Sequence, residues 1–207
     1  MLTLMTRRKA LVLFGASCAA VLTSRFAPAM AQASGDTAFV NGLAAKLISI
    51  INGPGSLAEK RQAILPLIDE NVDVDGIARF CLGRYWRTAT PDQQQQFLKL
   101  FHHVLLNSIT GKLGDYQGVK ISVGTSAPRG NGMTAVSTAI TRPGQPEATV
   151  QWVIGHVDGA PKVADIIGEG VSLSITQRGD YSSYLQRNGN SIDALLKAME
   201  RQASHAS

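Results

Sequence analysis

The chain has 207 residues, of which 44% are hydrophobic and 17% are charged, and its formal net charge is +5. This composition predicts a globular core and excludes a disordered chain and a collagen-like repeat. Four of the 20 Lys and Arg but none of the 15 Asp and Glu lie before residue 32, so residues 32–207 carry a net charge of only +1. A nearly neutral domain lacks the basic surface that attracts DNA or RNA, and we expect no nucleic-acid partner.

The first 31 residues have the three parts of an export signal. Residues 7–9 are basic, residues 10–22 are apolar, and Ala29 and Ala31 offer the small side chains, two positions apart, that signal peptidase accepts. Thirteen apolar positions are too few for a membrane span, which needs about 20. We expect cleavage after Ala31 or Ala33 and release of the remaining chain into the periplasm. The adjacent arginines leave twin-arginine export open beside Sec export.

Removal of this leader leaves a single cysteine, Cys81. One thiol cannot close an intramolecular disulfide, so the hydrophobic core must supply the stability of the domain. Cys81 lies in the apolar helical stretch 77–82, with no candidate base beside it in the sequence. We therefore predict an inert, buried thiol rather than a nucleophile.

Helical spacing of apolar residues predicts four helices before any strand. The first covers residues 36–52. The second begins at the capping box Ser56–Glu59 and reaches about Glu70. A short helix ends at Gly83, and a long one runs from the capping sequence after Thr90 to Tyr116.

Beyond Gly118 the apolar period changes to two, which predicts four strands joined by short turns. Connections this short leave no room for crossover helices, so the strands should form an antiparallel meander. Two helices, near 176–187 and 191–202, close the chain. The predicted fold is therefore one α+β domain, residues 32–207, in which helices cover one face of the sheet. The predicted strands and turns, in order, are Val119–Val123, Asn131-Gly132, Val136–Ile140, Pro143-Gly144, Ala148–Ile154, Asp158-Gly159 and Val163–Ile167.

A sheet face must be covered by a matching apolar stripe, and the long helix carries one. If the two surfaces pack tightly they form a core, whereas if they are held apart they enclose an apolar pocket. The sequence leaves both possibilities open. The side chains of the two predicted surfaces are Phe97, Phe101, Leu105, Ile109 and Leu113 on the helix, and Val136, Ile140, Val150, Trp152, Ile154 and Val163 on the sheet.

The sequence lacks the common catalytic and metal-binding motifs. The chain has no nucleophile elbow, phosphate-binding loop, zinc-protease motif or metal-spaced cysteine pair. His102 and His103 are adjacent on a helix and point in different directions, so they cannot bind one metal ion together. We therefore predict that both are surface residues. His156 and Asp165 could in principle form an acid–base pair.

Asp165, Glu169 and Ser172 lie where the chain should leave the last strand and enter a helix. Backbone N–H groups lose their sheet partners at such an exit, and short acceptor side chains usually satisfy them. We therefore predict structural roles for these three residues and no catalytic residue. An enzyme in which Asp165 acts as a buried acid remains the alternative.

Two stretches resemble the MlaC (toluene-tolerance) family of periplasmic phospholipid-binding proteins. Residues 80–101 contain Gly83 and Trp86 before a helix that begins T-x-x-Q-x-x-x-F. Residues 163–181 contain the pattern D-hydrophobic-x-x-E-G-hydrophobic-S-L, which begins at Asp165. The resemblance covers roughly residues 39–200, essentially the whole exported chain.

The sequence departs from this pattern at residues 107–109, where the family often has a Tyr in the long helix. This difference affects the shape of a pocket. The hopanoid-associated branch of the family is a close alternative, so the lipid could differ from a glycerophospholipid.

The resemblance implies a monomeric carrier that binds a lipid as cargo, with no other cofactor and no metal. It implies transfer between an outer-membrane lipoprotein–porin complex and the substrate-capturing subunit of an inner-membrane ABC transporter, and no enzymatic activity. Exposing two acyl chains to water costs on the order of 20 kcal/mol at ~0.8 kcal/mol per methylene, so a carrier must enclose them. The eleven side chains of the two predicted surfaces are then the expected lipid contacts. A structural protein with a filled core and no pocket is a further alternative.

Overall fold

The computed structural model describes residues 27–205, with side chains for residues 32–204. The expected export signal lies almost entirely outside this range, so its cleavage stays a prediction. No helix in the described range is long and apolar enough to cross a membrane. The helices are α1 (Ala27–Asn52), α2 (Leu57–Asn71), α3 (Val74–Leu82), α4 (Pro91–Thr110), α5 (Leu173–Arg187) and α6 (Ile192–His205), and the strands are β1 (Lys120–Arg129), β2 (Met133–Thr141), β3 (Ala148–Val157), β4 (Ala160–Gly168) and β5 (Val171–Ser172).

Local capping begins α2 and α4 where the sequence predicts. Ser56 and Thr90 each accept a hydrogen bond from the backbone N–H three residues later, and the side-chain oxygens of Glu59 and Gln93 accept one from the N–H of the cap residue. The long helix ends at Thr110 instead of continuing to Tyr116. The next turn contains Gly111 and Gly114, whose low helix propensity favours the short 3₁₀ helix found at Leu113–Tyr116.

The strands form one antiparallel sheet in sequence order, which confirms the α+β fold and the meander. Two of the predicted turns have the left-handed backbone that a two-residue hairpin turn requires. The φ values are +63° and +72° at Asn131 and Gly132, and +51° and +80° at Asp158 and Gly159. Each strand therefore pairs with its neighbour in the chain.

The prediction of four strands is wrong, because the described sheet has five. β5 pairs with β4 through a turn at Glu169 and Gly170, whose φ values are +49° and +83°. The two-residue strand β5 is too short to show an alternating apolar pattern in the sequence. In addition, Glu rarely adopts positive φ, so Glu169-Gly170 does not predict a hairpin turn as Asn-Gly or Asp-Gly does.

The buried residues form two hydrophobic clusters. The first cluster lies among the helices and contains Phe97, Phe101, Tyr181, Leu196 and other side chains of α3 to α6. The second cluster lies between α1 and the sheet and consists of Val40, Leu43, Val136, Ile154 and Val163. Leu47 and Val72 pack against both clusters and join them.

The helix in the second cluster, which packs against the middle strands, is therefore α1 and not the predicted α4. The aromatic stripe of α4 instead faces other helices, with the Phe97 ring 5.8 Å from the Tyr181 ring of α5 in an edge-to-face arrangement. Both α1 and α4 carry apolar stripes. Periodicity indicates that a face is buried but does not identify the surface that buries it.

Candidate functional site

The interface between α1 and the sheet is apolar on both sides. Val40 and Leu43 project from α1 onto Val136, Ile154 and Val163 of the three middle strands, and all five are buried. At Ile154 the register of β3 against β4 shifts, so that Val153 pairs with Asp165 and Ile154 with Val163. Branched apolar side chains thus line both surfaces, which is the chemistry that an acyl chain contacts.

Polar contacts fasten α1 at both ends of this interface. At its N-terminal end, the Gln32 amide donates to the Gly132 carbonyl oxygen at 3.0 Å. At its C-terminal end, the Asn52 amide donates to the Val119 carbonyl oxygen at 2.9 Å and accepts from the Gly118 N–H at 2.8 Å. The helix therefore lies across the sheet and is held by its two ends, by the second cluster and, near Ile51, by the first cluster.

A contact between the buried Asp36 and His156 adds to the contacts at the N-terminal end of α1. Asp36 is only 1% exposed, and its Oδ1 lies 3.3 Å from Nε2 of His156 at the end of β3. Its other oxygen, Oδ2, has no hydrogen-bond partner among the described residues. His156 contacts Asp36 and therefore does not form the acid–base pair with Asp165 that the sequence left open.

The structure divides the predicted lining residues between the two clusters. Val136, Ile154 and Val163 are buried in the second cluster, and Trp152 packs against it. Phe97, Phe101 and Leu113 are buried in the first cluster, and Leu105 and Ile140 pack against it. Val150 is half-buried and Ile109 is exposed.

Sequence reasoning assigned no site role to α1, which supplies Val40 and Leu43. Asp36, Val40 and Leu43 are spaced four and three residues apart and therefore share one helix face. An acid that begins an apolar stripe was the available signal for the polar contact with His156.

The enclosed apolar pocket predicted from the sequence is not confirmed. One surface cavity of about 310 Å³ is bordered by α2, α3 and β4, and five of its eight lining residues are Asp69, Asp73, Asp75, His102 and Lys162. A lining that includes three carboxyl groups is unsuited to acyl chains. Between α1 and the sheet, side chains of the second cluster occupy the apolar space.

Hydrogen bonds within the fold occupy both carboxylate oxygens of Asp165. Oδ1 accepts from the N–H groups of Ile166 and Ser174 at 2.9 and 3.0 Å. Oδ2 accepts from the Ser172 hydroxyl at 2.5 Å, and Ser172 in turn caps α5 by accepting from the Ile175 N–H. These hydrogen bonds confirm the structural roles predicted for Asp165 and Ser172, because they satisfy backbone donors where the chain leaves β4.

Cys81 is buried beneath α5, where its thiol lies 3.5 Å from the Ser174 carbonyl oxygen. Burial, with a smaller contribution from the nearby Asp165 carboxylate, raises the pKa of the thiol to about 12. The thiol is therefore protonated at neutral pH.

We expect the Cys81 thiol to resist an aromatic disulfide reagent in the folded protein and to react with it in urea-unfolded protein. The absorbance of the thiolate that the reagent releases measures this reaction. Rapid labelling of the folded protein would contradict this inert role.

No group of three or more metal-binding side chains occurs within residues 27–205. Of the two adjacent histidines on α4, His102 contacts Asp69 with Nε2 and Oδ1 2.7 Å apart. His103 is exposed. Both positions agree with the prediction of surface residues.

Comparison with known proteins gives matches over most of the described chain. The family described as MlaC protein matches residues 41–201. A toluene tolerance protein of Pseudomonas putida is 28% identical over 126 residues, which cover 60% of this chain and 59% of that protein. The intermembrane phospholipid transport system binding protein MlaC of Haemophilus influenzae is 25% identical over 127 residues, 59% of this chain and 58% of that protein. The alignments thus span about three fifths of each relative.

A solved structure has a similar fold. The phospholipid-binding protein of Ralstonia solanacearum, determined in complex with a phospholipid, superimposes with a TM-score of 0.73. The superposition covers 83% of this chain and 98% of that chain, with 20% sequence identity. At this identity the likeness establishes a common fold.

Proposed function

This chain belongs to the MlaC protein family, and from that premise we propose that it binds a phospholipid and carries it across the periplasm. The observation that carries the proposal is the apolar interface between α1 and the sheet. A curated relative is named as the binding protein of a phospholipid transport system, and a protein of the same fold was solved with a phospholipid bound.

We place the acyl chains between α1 and the sheet. Val40 and Leu43 are the buried side chains that α1 contributes to the second cluster. Displacing each from an apolar surface costs about 1.5–3 kcal/mol. Enclosing two acyl chains recovers on the order of 20 kcal/mol, at ~0.8 kcal/mol per methylene. For a lipid whose acyl chains would otherwise be exposed to water, entry that moves α1 away from the sheet is therefore favourable even though it breaks the contacts of Gln32 and Asp36.

Val136 and Ile154 form the centre of this proposed lipid surface, with Trp152 and Val163 beside them. The residues of α4 that lie in the first cluster contribute to the helical core beside this surface. The lipid headgroup stays in water, so the domain needs no dedicated polar recognition motif.

Carriage of a lipid requires no catalytic group, and Asp165 supports this conclusion. Its two oxygens accept three hydrogen bonds from the chain itself, so the acid-dependent enzyme is the weaker reading. We propose a monomeric lipid carrier with no cofactor. A hopanoid cargo is the alternative within the same function, and the mass of the bound lipid distinguishes it from a phospholipid.

We further propose that residues 1–31 direct export and are removed, so that residues 32–207 act in the periplasm. The proposed partners are an outer-membrane lipoprotein–porin complex and the substrate-capturing subunit of an inner-membrane ABC transporter. N-terminal sequencing of the exported protein should begin at Gln32 or Ser34. A protein that begins at Met1 would contradict the proposed cleavage.

Native mass spectrometry of the purified exported protein tests the proposed function directly. We expect a species whose added mass corresponds to one phospholipid and that loses this mass on delipidation. A protein that carries no lipid, and takes up none from added phospholipid, would support the filled-core alternative.

Val136→Glu should reduce the fraction of protein that retains lipid by about tenfold or more, because it places a charge on the apolar surface. A buried Glu can also unfold the domain, so the nearly isosteric Val136→Thr is the second variant and should lower retention less. Val157→Glu, on an exposed part of β3, is the matched control and should retain lipid. Full retention by both Val136 variants, with an unchanged circular dichroism spectrum, would remove this residue from the site.

A further inference from the structure

Three large apolar side chains are exposed next to one another where β5 joins α5. Val171, Leu173 and Ile175, here called the apolar patch, are 57%, 57% and 58% exposed. The intervening residues Ser172 and Ser174 turn inward, and Asp165 accepts hydrogen bonds from the Ser172 hydroxyl and the Ser174 backbone N–H. The polar residues of this segment thus point into the protein and the apolar ones into solvent, which is the reverse of the usual pattern.

A small basic pocket lies one helical turn from the apolar patch. Its volume is about 170 Å³, and its lining includes Arg84, Arg178, Ser182 and Gln186. Within residues 32–204, neither Arg84 nor Arg178 forms an ion pair with a carboxylate. Two guanidinium groups without acidic partners at one small cavity are suited to a phosphate group.

Neighbouring rings hold both guanidinium groups in place. The Arg178 guanidinium lies 4.9 Å from the centre of the Phe80 ring, and the Arg84 guanidinium lies 4.9 Å from the centre of the Tyr85 ring. Arg84 also donates to the Tyr85 hydroxyl at 3.0 Å. A Cβ at Gly83, where φ is +60°, would come within 3.1–3.2 Å of the Arg178 side chain, so the glycine permits this close approach.

The apolar patch and the basic pocket form one surface. Ile175 and Arg178 are three residues apart in α5 and therefore share a helix face. Phe80, itself 42% exposed, lies against Arg178 and extends the apolar area on the α3 side. The arrangement places large apolar side chains next to paired cationic groups.

We propose that this surface docks on a phospholipid bilayer, with Arg84 and Arg178 contacting lipid phosphate groups and the apolar patch entering the layer beneath them. A bilayer surface has this combination, because a phosphate layer lies directly above hydrocarbon. Charge complementarity and the size of the pocket favour this occupant. The inference rests on the proposed function, since the two proposed partner complexes lie in membranes and a carrier that reaches them comes close to a bilayer surface. Three side chains and a nearly neutral domain predict weak, reversible docking.

Sedimentation with protein-free vesicles of phosphatidylcholine and phosphatidylglycerol tests the docking. The exported protein should sediment with the vesicles. The double variant Leu173→Ser/Ile175→Ser should bind at least about tenfold more weakly. The matched control is Leu57→Ser, at an exposed leucine that begins α2, and it should bind as the wild type does. Arg84→Gln/Arg178→Gln should also weaken binding and reduce its dependence on salt.

Absence of vesicle binding by the wild type would overturn the proposal and favour a protein partner for this surface. Equal binding by the Leu173/Ile175 double variant would overturn it too, as would saturable binding of inorganic phosphate without vesicle binding. Native mass spectrometry of the same samples reports lipid cargo independently. The double variant should keep its cargo, so a failure of docking is distinguishable from a failure of the proposed function.

Discussion

Replacing Phe97 by Ala is expected to lower the free energy of unfolding by about 3–5 kcal/mol. Phe97 is fully buried, and its ring centre lies 6.0 Å from that of Phe101 and 5.8 Å from that of Tyr181. The substitution removes these aromatic contacts and leaves a cavity among α3 to α6, where surrounding helices can collapse only in part.

Urea unfolding followed by circular dichroism measures this effect. Leu98→Ala is a suitable control. Leu98 follows Phe97 in α4 but is only half-buried, so its replacement should lower the free energy of unfolding less. Equal stability of Phe97→Ala and the wild type would show that this ring is not part of the folding core. Because Phe97 lies outside the α1–sheet interface, lipid retention per folded molecule should change little.

Replacing Asp165 by Ala is expected to cost about 3 kcal/mol, since each buried donor left unpaired costs about 1–3 kcal/mol. The change removes the acceptors of the Ile166 and Ser174 N–H groups and of the Ser172 hydroxyl. Asp165→Asn should be milder, because its amide oxygen can still accept from the two N–H groups. Both variants should lower the melting temperature.

Lipid transfer by these variants should fall only in proportion to the amount of folded protein. Asp180→Ala removes an exposed carboxylate from α5 and is the matched control, with little expected effect on stability. An Asp165→Asn protein of unchanged melting temperature that had lost all activity would overturn the structural role and support the enzyme alternative.

Local chemistry explains what the sequence predicted well. The caps at Ser56 and Thr90 and the turn at Asp158–Gly159 depend on residues a few positions apart, so their patterns are visible in the chain. Asp165 was also placed correctly, because backbone donors at a strand exit need acceptors whatever the distant environment is.

Features that depend on distant contacts were not predicted. The stripe of α4 indicated burial but not that Tyr181 of α5 would cover it. The pairing of Asp36 with His156 joins the first described helix to the third strand, and neither residue forms a local motif. The proposed lipid surface on α1 was missed for the same reason, since both α1 and α4 present apolar faces.

The fastening of α1 has a consequence for the order in which the domain folds. The Gln32 side-chain amide contacts Gly132 and His156, which lie 100 and 124 residues further along the chain. The hairpins of the meander need only short loop closures, which are fast, whereas contacts so distant in sequence form slowly. We therefore expect the part of the chain made first to dock last. During biogenesis the sheet would then present Val136 and Ile154 uncovered, and this interval is when the domain is most exposed to aggregation.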